Sequence, residues 1–422
     1  MSSSQRPASY TMSITIIGIL FFVFGFVTWL NGTLIPFLKL ACDLHSDAQA
    51  LLVTFAFYMA YFFLAIPSSM ILEKTGFKNG MSLGLAVMAG GALLFIPAAL
   101  GRTFPLFLTG LFVQGMGLSL LQTASNPYIS VIGPLESAAS RISIMGICNK
   151  VAGAISPLIL GAIVLKGATE IETQINAATD PATRDQLLQA LSQRVILPYA
   201  VMAGVLLLLA IMIRYSSLPE IESQEDVKEN NGVIKTSIFQ FPHLMLGAIC
   251  IFVYVGAEVM AGDVISIYGK SIGISLDEAK NFTSYTLRSM VVGYILGIIA
   301  IPKYIKQEKA LALSALFGIL FSALAYFTSG YTSIVFIALL GFANALMWPA
   351  IFPLAIDGLG KFTKIGSAIL VMGIAGGAIL PQVYALFSSQ MGPQSAFFIT
   401  IVPCYLFILF YSIKGYRVGR TI

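Results

Sequence analysis

Twelve apolar runs govern what this chain can fold into. They fall at about 12–38, 50–72, 81–100, 105–132, 142–165, 195–213, 243–268, 283–302, 310–328, 332–356, 366–387 and 396–413. Each is near the ~20 residues that a helix needs to cross a ~30 Å hydrocarbon core. In hydrocarbon the backbone has no water to bond, so a run of this kind must satisfy its own amides as a helix. The runs take up most of the 422 residues, and only 10% of the chain is charged, so no soluble domain of ordinary size is left over. The sequence therefore predicts an all-α membrane protein of twelve transmembrane helices. If the N-terminus is cytoplasmic, fifteen of the 24 Lys and Arg fall on the inner side and seven on the outer, with Lys150 and Arg288 inside spans. That bias places both termini in the cytoplasm of a plasma membrane, the inner membrane of a bacterium. The net charge of +5 is then a topology signal and does not point to nucleic acid.

A polar break at 216–240 divides the spans six and six. The expected organisation is a first bundle over 1–215, a cytoplasmic linker over 216–240 and a second bundle over 241–422. A second hydrophilic piece, 166–194, carries a pattern around 181–191 that fits a short surface helix. The halves are related. Gln122 stands five residues before Pro127, and Asn344 five before Pro349, each followed by a basic loop. Overlaying the first and seventh spans on Gly25 and Gly256 sets Gly32 opposite Asp263. Two six-helix bundles related by a pseudo-two-fold axis are one way to build an alternating-access carrier, with substrate held between the repeats.

Chemistry at depth is carried by few residues. Cys42, Cys148, Cys250 and Cys404 are scattered, and His45 and His243 lie far apart, so no metal site is expected. No nucleophile–base pair is visible, which argues against an enzyme. Gln122 and Asn126, four apart, share one helical face and offer donors and acceptors suited to a ligand rich in hydroxyls. Asn31, Asn149 and Asn344 are further amides inside spans. Phe22, Phe26 and Trp29, with Tyr58 and Tyr61, offer flat faces for a sugar ring, or simply packing. Ionisable groups inside spans are costly and face a partner or water. Here they are Lys150, Glu258, Asp263 and Arg288. Glu258 either binds a hydroxyl or a coupling cation or pairs statically with a base; Asp263 poses the same choice nearer the outer mouth. Lys150 and Arg288 read as locks. The turn Leu72-Glu73-Lys74-Thr75-Gly76-Phe77-Lys78, with Arg141 on the same side, reads as an inner gate held by charge.

That turn between spans two and three resembles the corresponding loop of the major facilitator superfamily. Within the superfamily the chain is similar to the fucose/glucose/galactose sugar-symporter family over nearly all its spans. The residues concerned are Trp29-Leu30-Asn31-Gly32-Thr33-Leu34-Ile35-Pro36, Phe57-Tyr58-Met59-Ala60-Tyr61-Phe62 and Leu121-Gln122-Thr123-Ala124-Ser125-Asn126-Pro127-Tyr128. In the second half they are Tyr254-Val255-Gly256-Ala257-Glu258 and the run Lys364-Ile365-Gly366-Ser367-Ala368 through Gly373. The resemblance implies a rigid-body alternating-access carrier for a hexose, with Asn149 at a position that faces sugar in the fucose branch. It also implies a difference: that branch has an aspartate at the position of Gly32 and a glutamate at that of Gln122, and neither residue here can release a proton. The Gln122 form with Glu258 is closer to the glucose/galactose branch, where sodium coupling is known for some members.

The expectation is a monomeric, cation-coupled monosaccharide importer that takes glucose or galactose and prefers Na+ to H+. Gln122, Asn126, Asn149, Asn344, Trp29 and Asn31 would contact sugar, and Glu258 and Asp263 sugar or cation. The partners expected are the monosaccharide and the bilayer, with no cofactor beyond Na+ as coupling ion. Alternatives are an L-fucose or N-acetylglucosamine/mannose proton symporter, an uncoupled facilitator and, in a different class, a membrane sugar sensor.

Overall fold

The computed structural model describes residues 7–131, 138–216, 218, 237–301 and 304–420. Among them every regular element is a helix. Eleven helical stretches are long and apolar enough to cross a membrane. One of these, Asp47–Leu100, has 54 residues, about 80 Å of rise at 1.5 Å per residue and far more than one crossing requires. Gly76, at φ 76° and ψ 168°, breaks it with a conformation that a side chain would resist. The stretch is therefore two crossings joined by a tight turn, and the total is twelve.

The first crossing is α1 (Pro7–Thr28) and α2 (Asn31–Ala41). The second and third are formed by α3 (Asp47–Ala50), α4 (Leu52–Leu93) and α5 (Phe95–Leu100). The fourth and fifth are α6 (Phe104–Val131) and α7 (Ala138–Val164). Two short helices, α8 (Ala168–Ala177) and α9 (Pro181–Gln193), then lie across the face opposite the termini before α10 (Ile196–Tyr215) returns as the sixth. The seventh crossing is α11 (Pro242–Gly262) with α12 (Ile265–Ser271), and the eighth is α13 (Leu276–Ala279) with α14 (Phe282–Ala300). Then come α15 (Gln307–Phe327) and the paired α16 (Gly330–Asn344) and α17 (Met347–Ile356). The eleventh crossing is α18 (Thr363–Met372) and α19 (Gly376–Met391), joined by a 3-10 turn, and the twelfth is α20 (Pro393–Ile413).

The surface helix expected over 181–191 is α9. Asp180 caps it by accepting from the Ala182 and Thr183 N–H groups at 3.4 and 2.9 Å, and Pro181 fills the first helical position. Most of the stretch 216–240 lies outside the described residues.

The two bundles repeat one packing device. In the first, a Cβ on Gly25 of α1 would fall 1.8 Å from the Asn149 carbonyl oxygen of α7. In the second, a Cβ on Gly376 of α19 would fall 1.7 Å from the Phe252 carbonyl oxygen of α11. Spans one and five, and their counterparts seven and eleven, thus meet backbone to backbone, as small residues permit in lipid. Large apolar side chains such as Leu197, Ile299 and Phe327 point outward, 70%, 59% and 79% exposed, as a lipid-facing belt requires.

Candidate functional site

Four crossings are interrupted well inside the membrane: the first at 29–30, the seventh at 263–264, the tenth at 345–346 and the eleventh at 373–375. Broken helix is tolerated at such depth only where protein or a watery cavity meets the freed backbone groups. The polar residues gather at these breaks. Trp29 and Asn31 bracket the first, Asp263 lies within the second, and Asn344 is the last residue of α16.

Glu258 of α11 and Lys150 of α7 form an ion pair across the two bundles, with 2.8 Å between Nζ and Oε1. Both are buried, at 8% and 7% exposure. The ammonium also stands 4.5 Å from the centre of the Trp29 ring, a cation–π contact that adds to its stabilisation in a desolvated place. The ring itself is wedged between Gly153 of the first bundle and Gly262 of the second. One turn from Glu258, Tyr254 faces the same carboxylate.

Asp263 is the deeper acid, with no exposed surface. Tyr58 of α4 donates its hydroxyl to Oδ2 at 3.2 Å, a second bond between the bundles. The Gly32 N–H approaches the same carboxylate, while Oδ1 has no hydrogen-bond partner among the described residues. Gly32 is also held against Thr283, whose Oγ1 would lie 2.1 Å from a Cβ, so no side chain fits there in this arrangement. The overlay that set Gly32 opposite Asp263 thus names two neighbours in space.

Of the amides around this axis, Gln122, Asn149 and Asn344 are engaged within their own bundles. Gln122 donates to the Tyr61 hydroxyl at 3.2 Å, and Asn149 to the Phe21 carbonyl oxygen at 3.4 Å; both are half-buried. Asn344 accepts from Tyr405 at 2.9 Å, and its Nδ2 has no hydrogen-bond partner among the described residues. Asn31 is buried with neither amide atom bonded among the described residues. Unpaired buried amides are costly, so these atoms are free to bond a polar ligand. The side chain of Asn126 lies outside the described residues. Tyr405 was not singled out from sequence; a tyrosine inside a span needs a partner for its hydroxyl, and that was the signal available.

The expected locks separate. Lys150 joins the bundles, whereas Arg288 is exposed on α14 with its guanidinium 5.9 Å from the Tyr285 ring centre. Lys74 is exposed, and Lys78 donates to the Ser216 carbonyl oxygen at 2.6 Å, tying the turn at Gly76 to the end of α10 in its own bundle. The Arg141 side chain lies outside the described residues.

On the face opposite the termini the bundles are bolted together. Lys270 at the end of α12 pairs with Glu172 of α8. The Thr169 N–H donates to Asp277 at 3.1 Å, the Asp277 N–H returns a bond to Thr169 at 3.4 Å, and Lys280 reaches the Leu165 carbonyl oxygen at 3.0 Å. Deeper in, Ser284 donates to the Ala154 carbonyl oxygen at 2.7 Å. The molecule is closed on the far face.

Twelve crossings in two bundles, with buried charges bridging them and polar bonds closing the face opposite the termini, are the architecture of an integral membrane transporter. The chain belongs to the major facilitator superfamily, whose family model matches residues 17–381. It is 36% identical to a glucose/galactose transporter of Brucella abortus biovar 1 (strain 9-941) over 98% of this chain and 96% of the other. It is 32% identical to a putative glucose/galactose transporter of Helicobacter pylori (strain J99 / ATCC 700824) over 98% of this chain and 99% of that one. It is 29% identical to the L-fucose-proton symporter of Escherichia coli (strain K12) over 92% and 89%. Among solved structures, a crystal structure of the E. coli fucose:proton symporter superimposes with a TM-score of 0.75 at 26% identity, covering 98% of this chain and 100% of that one.

Proposed function

We propose that this protein is a secondary active carrier that imports a monosaccharide, a hexose such as glucose or galactose, by cation-coupled alternating access. Sodium is preferred to the proton as the coupling ion. The observation that carries this reading is the buried polar axis between the bundles. Lys150–Glu258 and Tyr58–Asp263 join the two halves at half depth, and amides with unmet hydrogen-bonding capacity stand beside them. A sugar's hydroxyls both donate and accept, as amides do, so Gln122, Asn126, Asn149, Asn31 and Asn344 suit it, with Trp29 offering an apolar face. One carboxylate with neutral oxygens can hold a hard cation. The names of the most similar relatives support a hexose, and the E. coli fucose symporter keeps proton coupling as the second reading.

In the membrane this carrier acts as a monomer with both termini cytoplasmic, so the closed far face is the outer one. Uptake of labelled glucose, galactose, fucose and N-acetylglucosamine into proteoliposomes, with sodium and pH gradients imposed separately, tests the reading. Accumulation of a hexose driven by inward sodium is expected. Equilibration without accumulation under either gradient would leave a facilitator, and no uptake of any sugar would sink the proposal.

A further inference from the structure

Two buried acids on one span leave open which of them receives the coupling cation, and the geometry divides the roles. We infer that the cation is held at Asp263, in the break between α11 and α12, while Glu258 is reserved for Lys150. The inference rests on the coupled-carrier reading above.

Glu258 already has its cation. The Lys150 ammonium lies 2.8 Å away, both groups are almost fully buried, and Trp29 covers the lysine. A sodium ion entering there would have to displace a covalently tethered positive charge that cannot diffuse away. Asp263 is as deeply buried but differs in its partners. It is completely buried, no basic side chain is bonded to it, and Oδ1 has no hydrogen bond among the described residues.

The break itself supplies further oxygens. The Asp263 and Val264 N–H groups both bond the Val259 carbonyl, at 2.8 and 3.2 Å. An amide at i+4 would normally go to Met260, so this slip of register passes the Met260 carbonyl over. Carbonyls at the C-terminal end of a half-helix in mid-membrane point their negative ends along the axis and favour cations. The carboxylate, the Tyr58 phenol oxygen and the passed-over Met260 carbonyl would offer a cation an all-oxygen set of the kind hard cations take. Tyr58 belongs to the first bundle and Asp263 to the second, so a cation here would hold the halves together as the far face stays shut.

Lys150 then has a second duty. If Glu258 lost its charge, the freed ammonium would turn to the neighbouring acid and compete with the ion. The assignment therefore makes an unusual demand: neutralising Glu258 weakens sodium binding indirectly, and also removing the lysine's charge restores it.

The test uses the purified full-length protein without sugar, following its thermal unfolding as NaCl replaces choline chloride. The wild type is expected to be stabilised by sodium. Asp263→Asn should lose that response, and Tyr58→Phe should keep it with about tenfold weaker apparent affinity, the effect of one lost ligand. Glu258→Gln should weaken sodium by about tenfold or more, and Lys150→Gln/Glu258→Gln should return it to near the wild-type value. A sodium response that survives in Asp263→Asn, or that stays lost in the double variant, overturns the assignment even where sodium-driven uptake is intact. Absence of any sodium response in the wild type overturns it too, while sugar accumulation on a proton gradient would leave the carrier reading standing.

Discussion

Lys150 and Glu258 set the scale for what a single residue can do here. Two charges buried at under a tenth exposure tolerate each other's company but not each other's loss. Removing one partner leaves an uncompensated charge in a dry place, at a cost of about 3–5 kcal/mol. Lys150→Gln or Glu258→Gln alone should therefore lower the unfolding temperature in detergent by several degrees, and the double substitution should recover most of it. Additive losses in the double variant would mean that the two side chains do not share one interaction. The sequence showed that four ionisable groups lie inside spans, because hydrocarbon makes any charge conspicuous. It did not show who pairs with whom. Arg288 illustrates the reason: a long side chain can carry its charge along an apolar surface, so its position in an apolar run does not fix the side to which it points.

At the scale of elements, the spans were legible because bilayer thickness imposes one length on all of them. The breaks were not, since a run of apolar residues reads alike whether its helix is continuous or slips at 263–264. The short helix α8 also escaped notice, although it carries much of the closure. If the far-face contacts hold the bundles shut, a short bifunctional cross-linker between cysteines at Thr169 and Asp277 should stop uptake, and reductive release should restore it. Continued transport in the cross-linked protein would remove α8 from the gate. The neighbouring helix α9 is fastened by Arg184, which binds both oxygens of Asp43 at 2.6 and 2.8 Å. The Arg184 guanidinium holds the Asp43 carboxyl below its ordinary value of 3.8. A depressed carboxylate stabilises the folded contact above that value and loses its contribution as pH falls through the lowered one. Amide exchange across 181–193 should accordingly stay slow down to about pH 4 and accelerate below it, and Arg184→Gln should erase the pH step. The pair is partly open to solvent, so the effect on global stability will be small.

For the whole molecule, the two-bundle plan followed from the polar break and from the paired Gln122–Pro127 and Asn344–Pro349 spacings, with Gly25 and Gly376 now supplying the matching contacts in space. What remained hidden was the conformational state, which depends on which face carries the cross-bundle bonds and is written in no local pattern. The closed far face has a consequence for kinetics. The clasp over α8 holds one ion pair near water, Lys270 with Glu172, and two further charged side chains, Asp277 and Lys280, that bond Thr169 and the Leu165 carbonyl across the bundles, and attractions of this kind are screened as the Debye length shrinks. Concentrated electrolyte on that side would hasten unlatching, making the turnover rate responsive to the saltiness of the compartment that the clasp faces.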